Sequence, residues 1–90
     1  MSRRREVYAS YDVGDRIRIR DGASHPVYPD INLSGWVGTV RKYDRLTKAY
    51  LIVWSKETLQ GSPGEYGEQC NQDALDPGTT WIDAADLEYA

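Results

Sequence analysis

The sequence predicts a mainly β domain: a small, strongly bent antiparallel barrel of about five strands with a short helical insertion near residues 62–72. Three observations predict this fold class. Isoleucine and arginine alternate strictly from Arg16 to Arg20, which is the period of a strand with one buried face. Gly35 and Gly38 punctuate the next apolar run, where they favour a sharp bend. The run from Ala49 to Trp54 is apolar on both faces, which is typical of a buried strand.

The chain length is enough for one domain with a core of about a dozen large side chains. We expect residues 11–90 to form that domain and residues 1–10 to be a basic, partly disordered N-terminal tail. The arginines from Arg3 to Arg5 are typical of a solvated tail, and contact with nucleic acid or with an acidic partner is the alternative.

The first predicted strand follows a turn in which Gly14 is expected to be left-handed. Ile17 and Ile19 point to one face of this strand, and three arginines, Arg16, Arg18 and Arg20, point to the other. Such a stripe can contact phosphates or an acidic protein surface. It can also serve only to keep the strand soluble and to block edge pairing.

A long loop, residues 23–34, separates the first two predicted strands and contains His25-Pro26 and Tyr28-Pro29. Both prolines fix the backbone and disfavour helix, so the loop is expected to be stiff and is a candidate binding element. His25 is the only histidine. A lone histidine is more typical of a packed or solvent-facing imidazole than of a metal site.

The second predicted strand places Trp36, Gly38 and Val40 on one face, and the missing side chain at Gly38 predicts close approach of another strand. After the hairpin and the third strand, the segment Ser62 to Glu65 has the Ser, Pro and Glu of a helix start, which predicts a capping serine. We expect the helix to act as a lid that packs three side chains on the barrel: Tyr66, Cys70 and Leu75.

The end of the chain predicts a turn at Asp76-Pro77-Gly78, a strand from Thr80 to Ile82, and one helical turn that places Leu87 in the core. Cys70 is the only cysteine, so no internal disulfide can form, and we interpret it as a small apolar residue. A reactive or intermolecular thiol is the alternative.

Charge is divided unevenly along the chain. Residues 1–48 carry ten Lys and Arg against six acids, a balance of +4, whereas residues 49–90 carry one lysine against eight acids, a balance of −7. These balances add to the net charge of −3. A basic and an acidic sector can pair with charged partners of either sign or with a second copy. No apolar run approaches the roughly 18 residues of a membrane span, so we expect a cytoplasmic chain without a membrane partner.

The order of these motifs resembles the SH3-like small-barrel superfamily. It is most similar to the variable chain of ferredoxin-thioredoxin reductase, whose pattern matches here at Val13 to Ile17, His25-Pro26, Leu33 to Gly38, Leu51 to Trp54 and Asp86 to Glu88. The segment from Lys56 to Gly78 lies outside that pattern. The resemblance implies an SH3-like barrel and a non-catalytic chain that braces a partner subunit.

The chain also resembles an SH3-like enzyme family, the plasmid-borne dihydrofolate reductases, at Gly14 to Arg16 and at Trp36 to Gly38. That family builds its site from a Val-Gln-Ile-Tyr strand, and the corresponding residues here read Thr80-Trp81-Ile82-Asp83. One cysteine, one histidine and scattered acids provide no nucleophile with a base and no ligand cluster. We therefore predict a chain that is not an enzyme and has no cofactor or metal.

The leading functional prediction is a non-catalytic protein-interaction module or accessory subunit that binds a protein partner or a second copy of itself. Trp and Tyr, which suit contact surfaces, replace Phe entirely. The predicted contact residues are Tyr28, Trp36, Tyr43, Trp54 and Trp81 as aromatic anchors, with Arg16, Arg18 and Arg20 as electrostatic guides. Trp36 and Trp54 are the rings most expected to turn out core. A nucleic-acid-binding small barrel is the alternative, and an oligomeric reductase is a minor one.

Overall fold

The computed structural model describes residues 11–90, and the predicted tail, residues 1–10, lies outside them. Five strands and two short α-helices follow in chain order: β1 (Arg16–Ile19), β2 (Val37–Asp44), β3 (Ala49–Trp54), α1 (Lys56–Gln60), α2 (Gly64–Gln72), β4 (Thr79–Asp83) and β5 (Leu87–Tyr89). A single 3-10 turn, Ala84–Asp86, leads into β5. The prediction of a mainly β domain with about five strands is confirmed.

The five strands form one antiparallel sheet in the order β4-β3-β2-β1-β5. The second, third and fourth strands make a meander, and β5 returns to pair with β1 on its other side. Because β4 and β5 lie at opposite ends of this order and are not paired with each other, the sheet is unclosed. The predicted antiparallel pairing of the strands is confirmed, and closure of the sheet into a barrel stays a prediction.

One face of the sheet carries the core. Ile17 and Ile19 are fully buried while the arginines between and beside them are exposed, so the period-two interpretation of β1 is confirmed. The predicted drop of Leu87 into the core is confirmed as well. The buried apolar side chains are Tyr11, Ile17, Ile19, Ile31, Leu33, Val40, Tyr50, Ile52, Trp54, Tyr66, Cys70, Ile82 and Leu87.

Two features bend the middle of the sheet. A β-bulge interrupts the pairing of β2 with β3 between Val40 and Lys42, and a bulge increases local twist. At Gly38 the neighbouring strand comes so close that an added Cβ would lie 2.6 Å from both the Ile52 Cγ2 and the Val53 carbonyl oxygen. The predicted close approach at this glycine is therefore confirmed.

The helical segment differs from the prediction in two ways. Ser62 does not cap α2: the helix begins at Gly64 with Pro63 before it and no side-chain cap, and the Ser62 hydroxyl donates to the Leu59 carbonyl at 2.7 Å. The preceding helix, α1, was not expected from the sequence. It forms because the Ser55 hydroxyl oxygen caps it by accepting a hydrogen bond from the Thr58 N–H at 3.1 Å.

Neither helix within residues 11–90 has the length and apolar character needed to cross a membrane. The longer of the two, α2, buries Tyr66 and Cys70 against the sheet, as the lid interpretation expects. Leu75, the third side chain of that interpretation, follows the helix and remains 42% exposed. The prediction that Leu75 packs against the barrel is therefore wrong.

Candidate binding groove

A groove of about 410 Å³ lies between the loop of residues 23–34, the end of α2 and the outer edge of β4. Its lining residues come from these three walls, with Leu51 from the neighbouring strand β3: His25, Pro26, Val27, Leu51, Cys70, Leu75, Asp76, Thr79, Thr80 and Trp81. Most of these side chains are apolar. Clefts of this kind, with a few polar groups among apolar walls, are the usual form of binding sites.

His25 organises the loop wall. Its ring is only 5% exposed, and its Nδ1 accepts hydrogen bonds from the N–H of Val27 at 3.0 Å and of Tyr28 at 3.2 Å. Since both contacts need the lone pair of Nδ1, the neutral ring carries its proton on Nε2. Burial lowers the pKa of His25, because the charged form loses solvation. The buried ring confirms the interpretation of His25 as a packed imidazole, and it is not a solvent-facing one.

Tyr28 ties this loop to the end of α2. Its hydroxyl donates to the Asp73 carboxylate at 2.6 Å, and the Gln69 carbonyl lies 3.2 Å from the same oxygen. Two effects raise the pKa of the Tyr28 phenol well above its usual range: the hydrogen bond to Asp73 is the larger, and loss of solvation is the next. The short isolated bridge between Ser24 and Asn32 holds the base of the loop. The loop wall is therefore fixed at both ends.

Aromatic rings support the floor of the groove. Tyr66 of α2 packs 5.5 Å from the His25 ring and edge-to-face on Trp36 at 5.3 Å, and its hydroxyl donates to the Pro77 carbonyl at 2.7 Å. Burial is the main cause that raises the pKa of the Tyr66 phenol. Cys70, one turn further along α2, is buried. The sequence predicts Cys70 to be a small, partly buried apolar residue, and the structure buries it fully.

Three apolar side chains lie at the rim of the groove and remain open to solvent. Val27 is 57% exposed, Leu75 42% and Trp81 43%. They come from the loop, from the turn after α2 and from β4, so the fold brings them together across long sequence separations. An exposed apolar cluster around a cleft is typical of an interaction surface.

The electrostatics of the groove follow from the C-terminal part of the chain. Residues 57–90 supply α2, the following turn and β4, and they contain eight acidic residues and no Lys or Arg. Asp76 lines the groove, and Asp73 lies beside it in contact with Tyr28. The loop wall contributes His25, whose pKa is lowered by burial, and Asp76 is the charged side chain among the lining residues of the groove.

The predicted aromatic anchors do not form one surface. Trp81 lines the groove, and Tyr28 supports the groove wall. Tyr43 is exposed on β2, with its ring centroid 4.6 Å from that of Tyr50 and the two rings tilted by 35°. Trp36 is half-buried and packs edge-to-face on Trp54 at 5.1 Å.

Trp54 is only 4% exposed, and its indole N–H donates to the Thr80 hydroxyl at 3.0 Å. The ring of Trp54 therefore belongs to the core and offers no contact surface, so its prediction as a contact residue is wrong. Trp54 was one of the two rings most expected to turn out core. Among the predicted anchors, Trp81 is thus the ring that meets the groove.

The arginine stripe on β1 is partly occupied by the chain itself. Arg18 forms an ion pair with Glu88, which lies opposite it in the β1–β5 register, and Arg20 donates to the Leu87 carbonyl at 3.0 Å. Arg16 is exposed on the same face. These contacts join β1 to β5, so two of the three predicted guides have a structural role.

Sequence reasoning did not single out Val27, and it placed Leu75 against the barrel, because a single apolar residue in a polar stretch resembles any core residue. Within the described range, 11–90, no three His, Cys, Asp or Glu side chains group closely enough to hold a metal ion.

Comparisons with protein-family models, with curated proteins and with solved structures found no match for this chain.

Proposed function

We propose that this chain is a non-catalytic protein-interaction module or accessory subunit built as an SH3-like small barrel, with the groove as its partner-binding surface. The sheet order β4-β3-β2-β1-β5, the 3-10 turn before β5 and the bend at Gly38 support the barrel. The motif resemblance to SH3-like chains points the same way. No catalytic step and no cofactor form part of this proposal.

The observation that carries the proposal is the exposed apolar rim of a rigidly walled groove. Val27, Leu75 and Trp81 would bury their exposed surface against a partner, which is favourable by roughly 25 cal/mol per Å² of apolar area. A tryptophan beside a pocket is the most typical anchor of a protein interface. The fixed wall around His25 and Tyr28 reduces the ordering cost of binding.

Protein is favoured over nucleic acid as the partner because of charge. The groove is bordered by an acidic segment, which would repel phosphates, and one arginine of the basic stripe is neutralised by Glu88. A nucleic-acid-binding chain would need a basic surface beside its stacking rings. Here the exposed groove ring, Trp81, lies in the acidic part of the chain.

Site-specific photo-crosslinking tests this proposal. Benzoyl-phenylalanine at position 27 of the full chain is expected to crosslink a discrete protein partner in an extract of the native cells. Leu46, 94% exposed at the β2–β3 turn and outside the groove lining, is the matched control position. The substitution Trp81→Ser should reduce the yield from position 27 at least fivefold without changing the melting temperature by more than a few degrees.

Equal products from positions 27 and 46 would contradict the assignment of the groove. So would an unchanged yield in the Trp81→Ser chain. Retention of the folded chain on DNA or RNA, lost steeply between low and moderate salt, would favour the nucleic-acid alternative instead.

A further inference from the structure

We infer that the partner enters the groove as an extended, positively charged segment of another protein, which adds as an antiparallel or parallel sixth strand to the outer edge of β4. This inference rests on the proposed protein-binding function and specifies the chemistry of the partner. Strand addition uses main-chain hydrogen bonds for affinity and alternate side chains for specificity.

The register of β4 determines which backbone groups point outward. At one end of its ladder the Trp54 N–H donates to the Gly78 carbonyl at 2.9 Å, and at the other the Ala84 N–H donates to the Lys48 carbonyl at 3.3 Å. In an antiparallel pair the hydrogen-bonded positions alternate. Thr80 and Ile82 therefore bond β3, whereas the N–H and C=O of Trp81 point away from the sheet.

This outer edge is open within the described residues. Outside the sheet ladder, no hydrogen bond in residues 11–90 uses the N–H or C=O of Trp81 or the N–H of Asp83. Proteins usually protect such edges with lysine, proline or a bulge. None of these lies in β4, whose sequence is Thr-Thr-Trp-Ile-Asp in a regular register.

The edge and the groove coincide. Three successive residues of β4, from Thr79 to Trp81, line the groove, and the loop residues Pro26 and Val27 line it as well. A strand added about 4.8 Å from β4 would run along this space. Its alternate side chains would then pack against the exposed apolar rim, while its backbone pairs with Trp81.

The charge of the residues around the groove favours a basic partner segment. Every charged residue from 57 to 90 is acidic, including Asp76 at the groove and Asp83 on β4, so a basic segment is complementary. Edge-to-edge pairing of two β4 strands from two copies would bring together two segments that carry acids and no Lys or Arg from residue 57 to residue 90, which is electrostatically unfavourable. The groove therefore favours a partner protein's basic segment over a second copy through β4.

A peptide titration followed by ¹⁵N NMR of the full chain tests this inference. The probe is a capped eight-residue peptide of alternating Lys and Val. We expect shifts in the amides of Val27, Trp81 and Asp83, and at least tenfold slower exchange of the Trp81 amide. The matched Glu–Val peptide should bind at least tenfold more weakly.

Two N-methylated forms of the Lys–Val peptide separate strand addition from simple charge attraction. In a strand the N–H groups of all lysines point to one edge and those of all valines to the other. Methylation of one set should abolish the Trp81 protection, and methylation of the other should leave it unchanged.

Equal effects of the two methylated forms, equal binding of the acidic peptide, or no binding of the Lys–Val peptide at millimolar concentration would overturn the inference. Chemical-shift changes confined to the amides of residues 1–10 would also overturn the inference. If crosslinking from position 27 succeeds while these signatures fail, the protein-binding proposal stands and strand addition is wrong.

Discussion

Replacing Gly38 with alanine tests the close approach of β2 and β3 that bends the sheet. An added Cβ would lie 2.6 Å from the Ile52 Cγ2, 2.6 Å from the Val53 carbonyl oxygen and 3.2 Å from the Trp54 Cε3. Carbon atoms in ordinary contact are about 3.5–4.0 Å apart. The new methyl group would therefore lie about 1 Å too close to the Ile52 Cγ2.

Relief of this overlap would require movement of the β3 backbone, because one of the two closest atoms is a main-chain oxygen. Inserting a methyl group into a packed region costs typically 1–3 kcal/mol, and a rigid backbone neighbour places Gly38→Ala near the upper end, at about 3 kcal/mol. For a domain of this size, that loss corresponds to a fall in Tm of roughly 12–24 °C.

Thermal unfolding, followed by tryptophan fluorescence and circular dichroism, measures this effect. Gly67→Ala is the matched control, because its Cβ would meet no atom within 4 Å inside α2. Alanine in a helix is favoured over glycine by roughly 0.5–1 kcal/mol, so this control should raise the Tm by a few degrees. A Gly38→Ala chain with stability within about 0.5 kcal/mol of the original would refute the close approach.

Three further predictions concern the groove and its supports. Because burial lowers the folded-state pKa of His25, the unfolded chain takes up a proton at a higher pH than the folded chain does. The stability that neutral His25 contributes is complete above the ordinary pKa of about 6.5 and falls as the pH drops below it. His25→Asn, which keeps a turn acceptor, should lose this dependence in urea unfolding between about pH 5 and 7, and identical profiles for the two chains would count against it. Asp73→Ala should lower the pKa of Tyr28 toward its ordinary value of about 10 in a phenolate absorbance titration, and an unchanged titration would contradict the hydrogen bond. Thr80→Val should cost about 1–3 kcal/mol in urea unfolding, because it leaves the buried Trp54 indole N–H without its acceptor, and an unaltered midpoint would show that the bond is dispensable.

Local patterns predicted the strands well because each strand's burial follows from its own alternation. Ile17 and Ile19 needed only the period-two pattern, and the third strand matched its predicted bounds, Ala49 to Trp54. The five-residue helix α1 was missed since it is too short to show an apolar period. Its signal was the Ser55 cap with Thr58 three residues later, a weak variant of a capping box.

The groove could not be predicted from local patterns, because it depends on which elements meet. Trp54 lies on the buried face of β3, whereas Trp81 lies on the exposed face of β4, opposite Leu51. Alternation within each strand predicts two faces, and the packing of the whole sheet determines which face of β4 meets the core. Likewise, the pairing of Arg18 with Glu88 follows from the β1–β5 register, which joins residues seventy positions apart.

Amide hydrogen exchange along β4 of the unbound full chain tests most sharply whether the outer edge of β4 is open to an added strand. We expect alternation: the amides of Thr80 and Ile82, bonded to β3, exchange slowly, while the Trp81 amide at the open edge exchanges at close to the rate of an unstructured peptide. A Trp81 amide as protected as its two neighbours would show that the edge is already covered, and would contradict the groove as a site for an added strand.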